Sequence, residues 1–164
     1  AFAQFAYEGA AFAALSQPRA DSTPVFRFYN KTTGTHFYTT SASERDGIIA
    51  YYPQFVYEGP AFHALSVAGT DGRTAVYRFF NKTTGSHFYT ASATERDKVI
   101  ATYPAFVYEG VAFYIQEARN GQCPGNTTPV YRSYNGRAAQ NDSNHRYTVD
   151  PTVFARSASF GYLP

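Results

Sequence analysis

Three histidines, His36, His87 and His145, each stand two residues before a tyrosine, Tyr38, Tyr89 and Tyr147. A Tyr-Glu-Gly phrase also occurs three times and supplies Glu8, Glu58 and Glu109. Aromatic rings stack on the apolar faces of sugars, and charged or amide groups fork onto pairs of hydroxyls, so such a set can form a ligand surface. The same residues can instead form a buried polar network that fixes the fold. Both readings stay open for the His, Tyr and Glu set. For Arg27, Arg78, Arg132, Asn30, Asn81 and Asn135 the structural role is favoured, with arginine paired to a Tyr-Glu-Gly glutamate, because repeated units need repeated structural residues.

Hydrolysis by paired carboxylates needs one asymmetric pair with separate roles, and equal copies argue against it. Glu44, Asp46, Glu95 and Asp97 have no counterpart in the third copy and read as a solvated helix face with local pairs. No Gly-x-Ser-x-Gly elbow, His-Glu-x-x-His, phosphate loop or dinucleotide fingerprint is present. Asn141-Asp-Ser-Asn144 lacks the spacing of a calcium loop and reads as a polar turn. Neither an enzyme, a metal nor a cofactor is expected.

These residues must be positioned by a repeat. Asn30 and Asn81, His36 and His87, and Glu58 and Glu109 are each 51 positions apart. From His87 to His145 the spacing grows to 58, because Arg137 to Asn144 lengthens one loop. Val25–Tyr29 and Thr35–Thr39 alternate like strands around a turn with Gly34 at its left-handed position. Ser41-Ala-Ser-Glu44 and Ser92-Ala-Thr-Glu95 match capping boxes, and Asp150-Pro151 an N-cap followed by proline, so a short helix follows each hairpin. Ile48, Ile49 and Tyr52 would give the first helix its apolar face. Phe55–Tyr57 and Ala61–Leu65 read as two further extended pieces, bent at Gly59.

Alternation places Phe26, Phe28 and Phe37 on one hairpin face and Arg27, Tyr29, His36 and Tyr38 on the other. The second face recurs in the third copy as Arg132, Tyr134, His145 and Tyr147; the first does not, becoming Tyr131, Ser133 and Arg146. His63 occurs in one unit only and reads as a surface strand residue. The chain opens on the tail phrase of a unit and closes on a head. The expected organisation is therefore one domain, 1–164, with repeat 1 at 24–65, repeat 2 at 75–115, and repeat 3 at 129–164 completed by 1–15. The expected fold is β-rich with one short helix per repeat, three pseudo-symmetric repeats closing into a propeller-like ring, or alternatively a trefoil-like one.

The 164 residues suffice for one domain burying roughly 70% of its unfolded surface. A net charge of +2 with interspersed signs gives no basic stripe, so nucleic acid is not an expected partner. Fifteen Tyr and fifteen Phe with no Trp suit sheets and surfaces that stack on flat ligands. Cys123 is the only cysteine, which excludes an internal disulfide framework and a thiolate zinc cluster. No apolar run approaches a membrane span.

The phrases Val-Tyr-Arg-Phe-Tyr-Asn-x-x-x-Gly-x-His-Phe-Tyr-Thr, Ser-x-x-Glu-Arg-Asp and Tyr-Glu-Gly-x-Ala-Phe together resemble an extracellular bacterial repeat domain of unassigned function. The resemblance spans nearly the whole chain; the third copy departs from it at Ser133, Arg146, the turn and the missing Glu-Arg-Asp. Such domains sit beside cell-wall hydrolases, peptidases and carbohydrate-active enzymes. The resemblance implies a non-catalytic attachment role within a larger secreted protein, on envelope or extracellular glycans. The residues expected to bind the glycan are His36, Tyr38, Glu58, His87, Tyr89, Glu109, His145, Tyr147 and Glu8. The alternative function is a structural or protein-interaction spacer without a small ligand, favoured if His36 and Tyr38 prove buried and bonded to glutamate.

Overall fold

In a computed structural model the described residues are 6–69, 72–116 and 123–159, with the side chains of 6–9, 138 and 157–159 outside that description. Nine strands and three short helices alternate along the described chain. The first hairpin pairs β2 (Ser22–Asn30) with β3 (Thr35–Thr39); helix α1 (Ala42–Tyr51) and the long strand β4 (Phe55–Leu65) follow. The second unit repeats this as β5 (Arg73–Asn81), β6 (Ser86–Thr90), α2 (Ala93–Thr102) and β7 (Phe106–Gln116). The third has β8 (Thr127–Tyr134), β9 (His145–Thr148) and α3 (Pro151–Ser159). Its long strand is β1 (Ala6–Leu15), which pairs antiparallel with β8 from Ala6↔Tyr134 to Leu15↔Thr127.

Local chemistry sets the boundaries. Asn30 Oδ1 accepts the Thr32 N–H at 2.9 Å, and Gly34 takes φ +69°, so the hairpin turns where an L side chain would be strained. Asn81 and Gly85 repeat both features. Ser41 Oγ accepts the Glu44 N–H and Ser92 Oγ the Glu95 N–H, each at 3.1 Å, while Asp150 Oδ1 caps α3 through the Thr152 N–H at 2.7 Å. The two extended pieces expected over 55–65 are one strand. The bend is a register shift at Gly59, φ +89°, opposite Arg27.

Two expectations are corrected. The sheet does not close as a propeller-like ring: its path, β3-β2-β4-β1-β7-β5-β6 with β8 and β9 branching from β1, is open and antiparallel. The long strands converge only at their C-terminal ends, where single pairs join them, Leu15↔His63, Leu65↔Tyr114 and Ala13↔Gln116. One bridge apiece is too little to continue a ladder around a circle. The apolar face of α1 is also narrower than expected, because Ile48 points inward while Ile49 and Tyr52 are exposed.

Those three bridges ring the main core. Phe12, Phe62 and Phe113, one from each long strand, pack edge-to-face with centroids 5.8 to 6.1 Å apart. Val25, Val76 and Val130 are fully buried beside them. Two satellite clusters lie under the helices: Phe26, Phe28, Phe37 and Ile48 in the first unit, Phe79, Phe88 and Val99 in the second.

Candidate functional site

Both faces of the first two hairpins are covered. Strand alternation sends Phe28 and Phe37 to the helix side and Tyr38 to the central core. The three tyrosines meet there in a cycle. Tyr38 Oη donates to the Tyr147 carbonyl at 2.9 Å, Tyr89 Oη to the Tyr38 carbonyl at 2.9 Å, and Tyr147 Oη to the Tyr89 carbonyl at 2.7 Å. In return, the Tyr38 N–H donates to Tyr89 Oη and the Tyr89 N–H to Tyr147 Oη, both at 2.9 Å. All three side chains are buried, and burial pushes the Tyr38 phenol up to about 12. They link the units and offer nothing to a ligand arriving from solvent, which corrects the expectation for Tyr38, Tyr89 and Tyr147.

In the first two units the histidine and glutamate lie further out and turn inward on arginine. Arg27 Nε is 2.8 Å from Glu58 Oε2, and His36 Nε2 approaches the same oxygen at 3.4 Å. The second unit repeats this with Arg78 and Glu109 at 2.8 Å and His87 at 3.5 Å. Burial, then Arg146 and Arg27, push the His36 imidazole down to about 4. His145 is pushed down to about 3 by burial and then Arg132, and packs between Phe88 and Tyr134 with centroids at 4.8 and 4.7 Å. Burial works to raise the Glu109 carboxyl, but His87 and Arg78 outweigh it and hold the acid below its ordinary value. Neutral His36 and His145 have no charge to exchange near pH 7. No group of three metal-ligating residues occurs among the described residues. Glu8 lies in β1, its side chain outside the described residues.

Of the helix acids, Glu44 and Glu95 do not belong to a solvated face. Glu44 accepts both terminal nitrogens of Arg78, from the next unit, at 3.0 and 3.1 Å, and Glu95 accepts those of Arg132 at 3.0 and 3.2 Å. Only the neighbours behave as expected: Arg45 and Asp46, and Arg96 and Asp97, pair locally at 2.7 Å. Each arginine also covers a ring of the preceding unit, Arg78 over Phe37 at 5.1 Å and Arg132 over Phe88 at 5.2 Å.

Beside each clamp is a cavity that the sequence reading missed. Between units 1 and 2 it measures about 360 Å³, lined by Phe37, Ile48, Tyr52, Phe55 and Glu44, with His87 from the next unit. Between units 2 and 3 it measures about 370 Å³, lined by Phe88, Val99, Tyr103, Phe106 and Glu95, with His145 from the next unit. Position by position the two are equivalents. Asn81, Thr83, Asn141 and Ser143 add amide and hydroxyl groups to the second. The available signal was recurrence in two copies of the Glu, the helix Ile or Val, and the Tyr-Pro that ends the helix.

Two overlapping stretches, residues 2–116 and 50–162, match the model of a domain of unknown function, DUF5648. The chain belongs to this family. The start points differ by about one repeat, so the family model is satisfied twice by one DUF5648 chain. No curated protein matches it. No solved structure matches it either. No helix among the described residues is long and apolar enough to cross a membrane.

Proposed function

We propose that this DUF5648 chain is a non-catalytic carbohydrate-binding module, lectin-like, whose sites are the two junction cavities, to which His87 and His145 contribute. The supporting observation is the duplication itself: two cavities of nearly equal volume carry the same aromatic, carboxylate and histidine lining. Tyr52 and Tyr103 are half-exposed at 51% and 47%, an arrangement that suits stacking on a sugar face at the mouth. On this reading the three units sit about a pseudo-threefold axis, and two weak sites on one rigid body gain avidity on a repeating polymer. A cell-wall or extracellular polysaccharide is the partner, and the chain serves a larger secreted protein.

A glycan array followed by calorimetry against cell-wall fragments tests the proposal. Tyr103→Ala and Tyr52→Ala should each halve the stoichiometry, and the double variant should abolish binding while melting normally. Silence of the wild-type protein across both assays removes the proposal. The second reading, a structural or interaction spacer, is favoured by the inward-facing Arg, His, Tyr and Glu network, since Tyr38 is buried and His36 lies against Glu58.

A further inference from the structure

The two junction cavities share a scaffold but differ in one wall. His36 and His87 are 51 positions apart and His87 and His145 58, and the added residues form the loop 137–144 of the third unit. A short 3-10 turn, Ala138–Gln140, shapes this loop: the Gln140 and Asp142 N–H groups both donate to the Arg137 carbonyl at 3.1 Å, and Arg137 pairs with Asp142 at 2.8 Å. Its far end is anchored on the other units. Ser86 Oγ donates to the Ser143 carbonyl at 2.9 Å, and Asn144 Nδ2 to the Gly34 carbonyl at 3.3 Å. Held in this way, the loop carries Asn141 and Ser143 into the lining of the second cavity. At the first junction the equivalent turn, 82–85, contributes nothing to the lining among the described residues.

The polar groups on that wall keep hydrogen-bonding capacity that the fold does not use. Asn81 is 4% exposed, and its Oδ1 accepts the Thr83 and Thr84 N–H groups at 2.9 and 3.4 Å, which leaves Nδ2 as a donor without a partner among the described residues. Asn30 makes the same turn in the first unit but does not line the first cavity. The Asn141 amide and Ser143 Oγ likewise have no partner among the described residues. Asn141 is also the one residue other than glycine with a positive φ there, +54°, a conformation that asparagine tolerates better than most side chains. Phe88, Val99 and Phe106 supply apolar surface to the same cavity, and the Glu95 carboxylate in its lining is already matched by both terminal nitrogens of Arg132 at 3.0 and 3.2 Å.

We propose that the second cavity selects a sugar bearing an acetamido group, held by Asn81, Asn141 and Ser143, whereas the first accepts a neutral sugar without that preference. This inference rests on the reading of the cavities as carbohydrate sites. An acetamido group carries one acceptor, one donor and one methyl. Asn81 Nδ2 serves its carbonyl oxygen, Asn141 Oδ1 or Ser143 Oγ accepts its N–H, and the aromatic surface of Phe88 and Phe106 takes the methyl. A hydroxyl in its place leaves amide groups unpaired and apolar surface uncovered, so the sugar without the acetamido group binds more weakly. A charged sugar gains nothing here: an anion meets the Glu95 carboxylate, and a cation competes with Arg132 for it.

The test is titration of the full chain with the methyl β-glycosides of N-acetylglucosamine and of glucose, and with N-acetylalanine methylamide, followed through backbone amide resonances of Ile48 and Tyr52 at the first cavity and Val99 and Tyr103 at the second. At the second cavity the acetamido sugar should bind about tenfold more tightly than the glucoside, and at the first the two should agree within about twofold. Asn141→Gly, which keeps the positive φ without strain, should bring the two sugars within about twofold at the second cavity as well. Ser143→Ala leaves the carbonyl bond to Ser86 in place and should reduce the preference by about threefold. Equal binding of both sugars at the second cavity, an unchanged preference in Asn141→Gly, or equally tight binding of N-acetylalanine methylamide would each overturn the inference and leave the carbohydrate reading standing. Failure of both sugars to bind overturns it too, and the glycan array then shows whether the carbohydrate reading falls with it.

Discussion

Replacing Tyr89 by phenylalanine isolates the polar part of the contact between units. The ring stays, with its centroids 5.6 Å from Tyr38 and 5.5 Å from Tyr147, and only the hydroxyl is lost. That hydroxyl accepts the Tyr38 N–H and donates to the Tyr38 carbonyl, both at 2.9 Å, inside a residue 1% exposed. Its removal orphans a buried donor and a buried acceptor at roughly 1–3 kcal/mol each. The carbonyl can relax more easily than the N–H, so the expected loss is about 3 kcal/mol. In a domain of this length that lowers the melting temperature by roughly 6–12 °C. Urea melts followed by tyrosine near-UV circular dichroism measure the loss, with calorimetry for the midpoint. Tyr51→Phe, at a position 78% exposed, is the control and should change stability by less than about 0.5 kcal/mol. If Tyr89→Phe also falls within 0.5 kcal/mol, water replaces the hydroxyl without cost and the tyrosine cycle does not hold the units together.

Two further outcomes follow from the charges. His36 and His145, pushed down to about 4 and about 3, have folded values below their unfolded ones, so their contribution to stability is complete above about pH 6.5 and is lost as the pH falls towards 4 and 3. A stability profile should decline across that window, and His145→Gln should flatten its lower part; an unchanged slope in the variant would show that His145 is not the titrating group. Glu95→Gln removes the charge from the Arg132 clamp and should cost about 1–2 kcal/mol in urea melts, while Asp97→Asn, 65% exposed and paired only with its neighbour, should cost almost nothing. Equal effects of the two would place Glu95 back on the solvated face.

The hairpins, the caps at Ser41, Ser92 and Asp150, and the left-handed Gly34 were legible because each is decided within a few residues. The inward turn of the Arg/His/Tyr face was not. Alternation divides a strand into two faces, but when both are aromatic it does not say which meets solvent, and here Phe28 packs on the helix side while Tyr38 packs at the centre. The open sheet was equally out of reach. Whether three units share a ladder or a single bridge depends on how their long strands diverge on the N-terminal side of Leu15, Leu65 and Gln116, and no short phrase encodes that.

Copy number nevertheless carries geometric information in a repeat of this kind. A pair within one unit needs both members in every unit; Arg27 with Glu58 and Arg78 with Glu109 are such pairs, and their positions are filled in all three copies. The tyrosine cycle also needs three members, because each hydroxyl serves the backbone of another unit. A pair that spans adjacent units behaves differently, since its two members can be lost at a single junction without disturbing the others. Glu44 and Phe37 meet Arg78, Glu95 and Phe88 meet Arg132, and the third copies of the glutamate and the phenylalanine are lost together, as Val153 and Arg146. Residues that recur twice and disappear jointly therefore belong to the surfaces between units. The two cavities lie on those surfaces, lined by residues that recur twice together with His87 and His145 from the face that recurs three times.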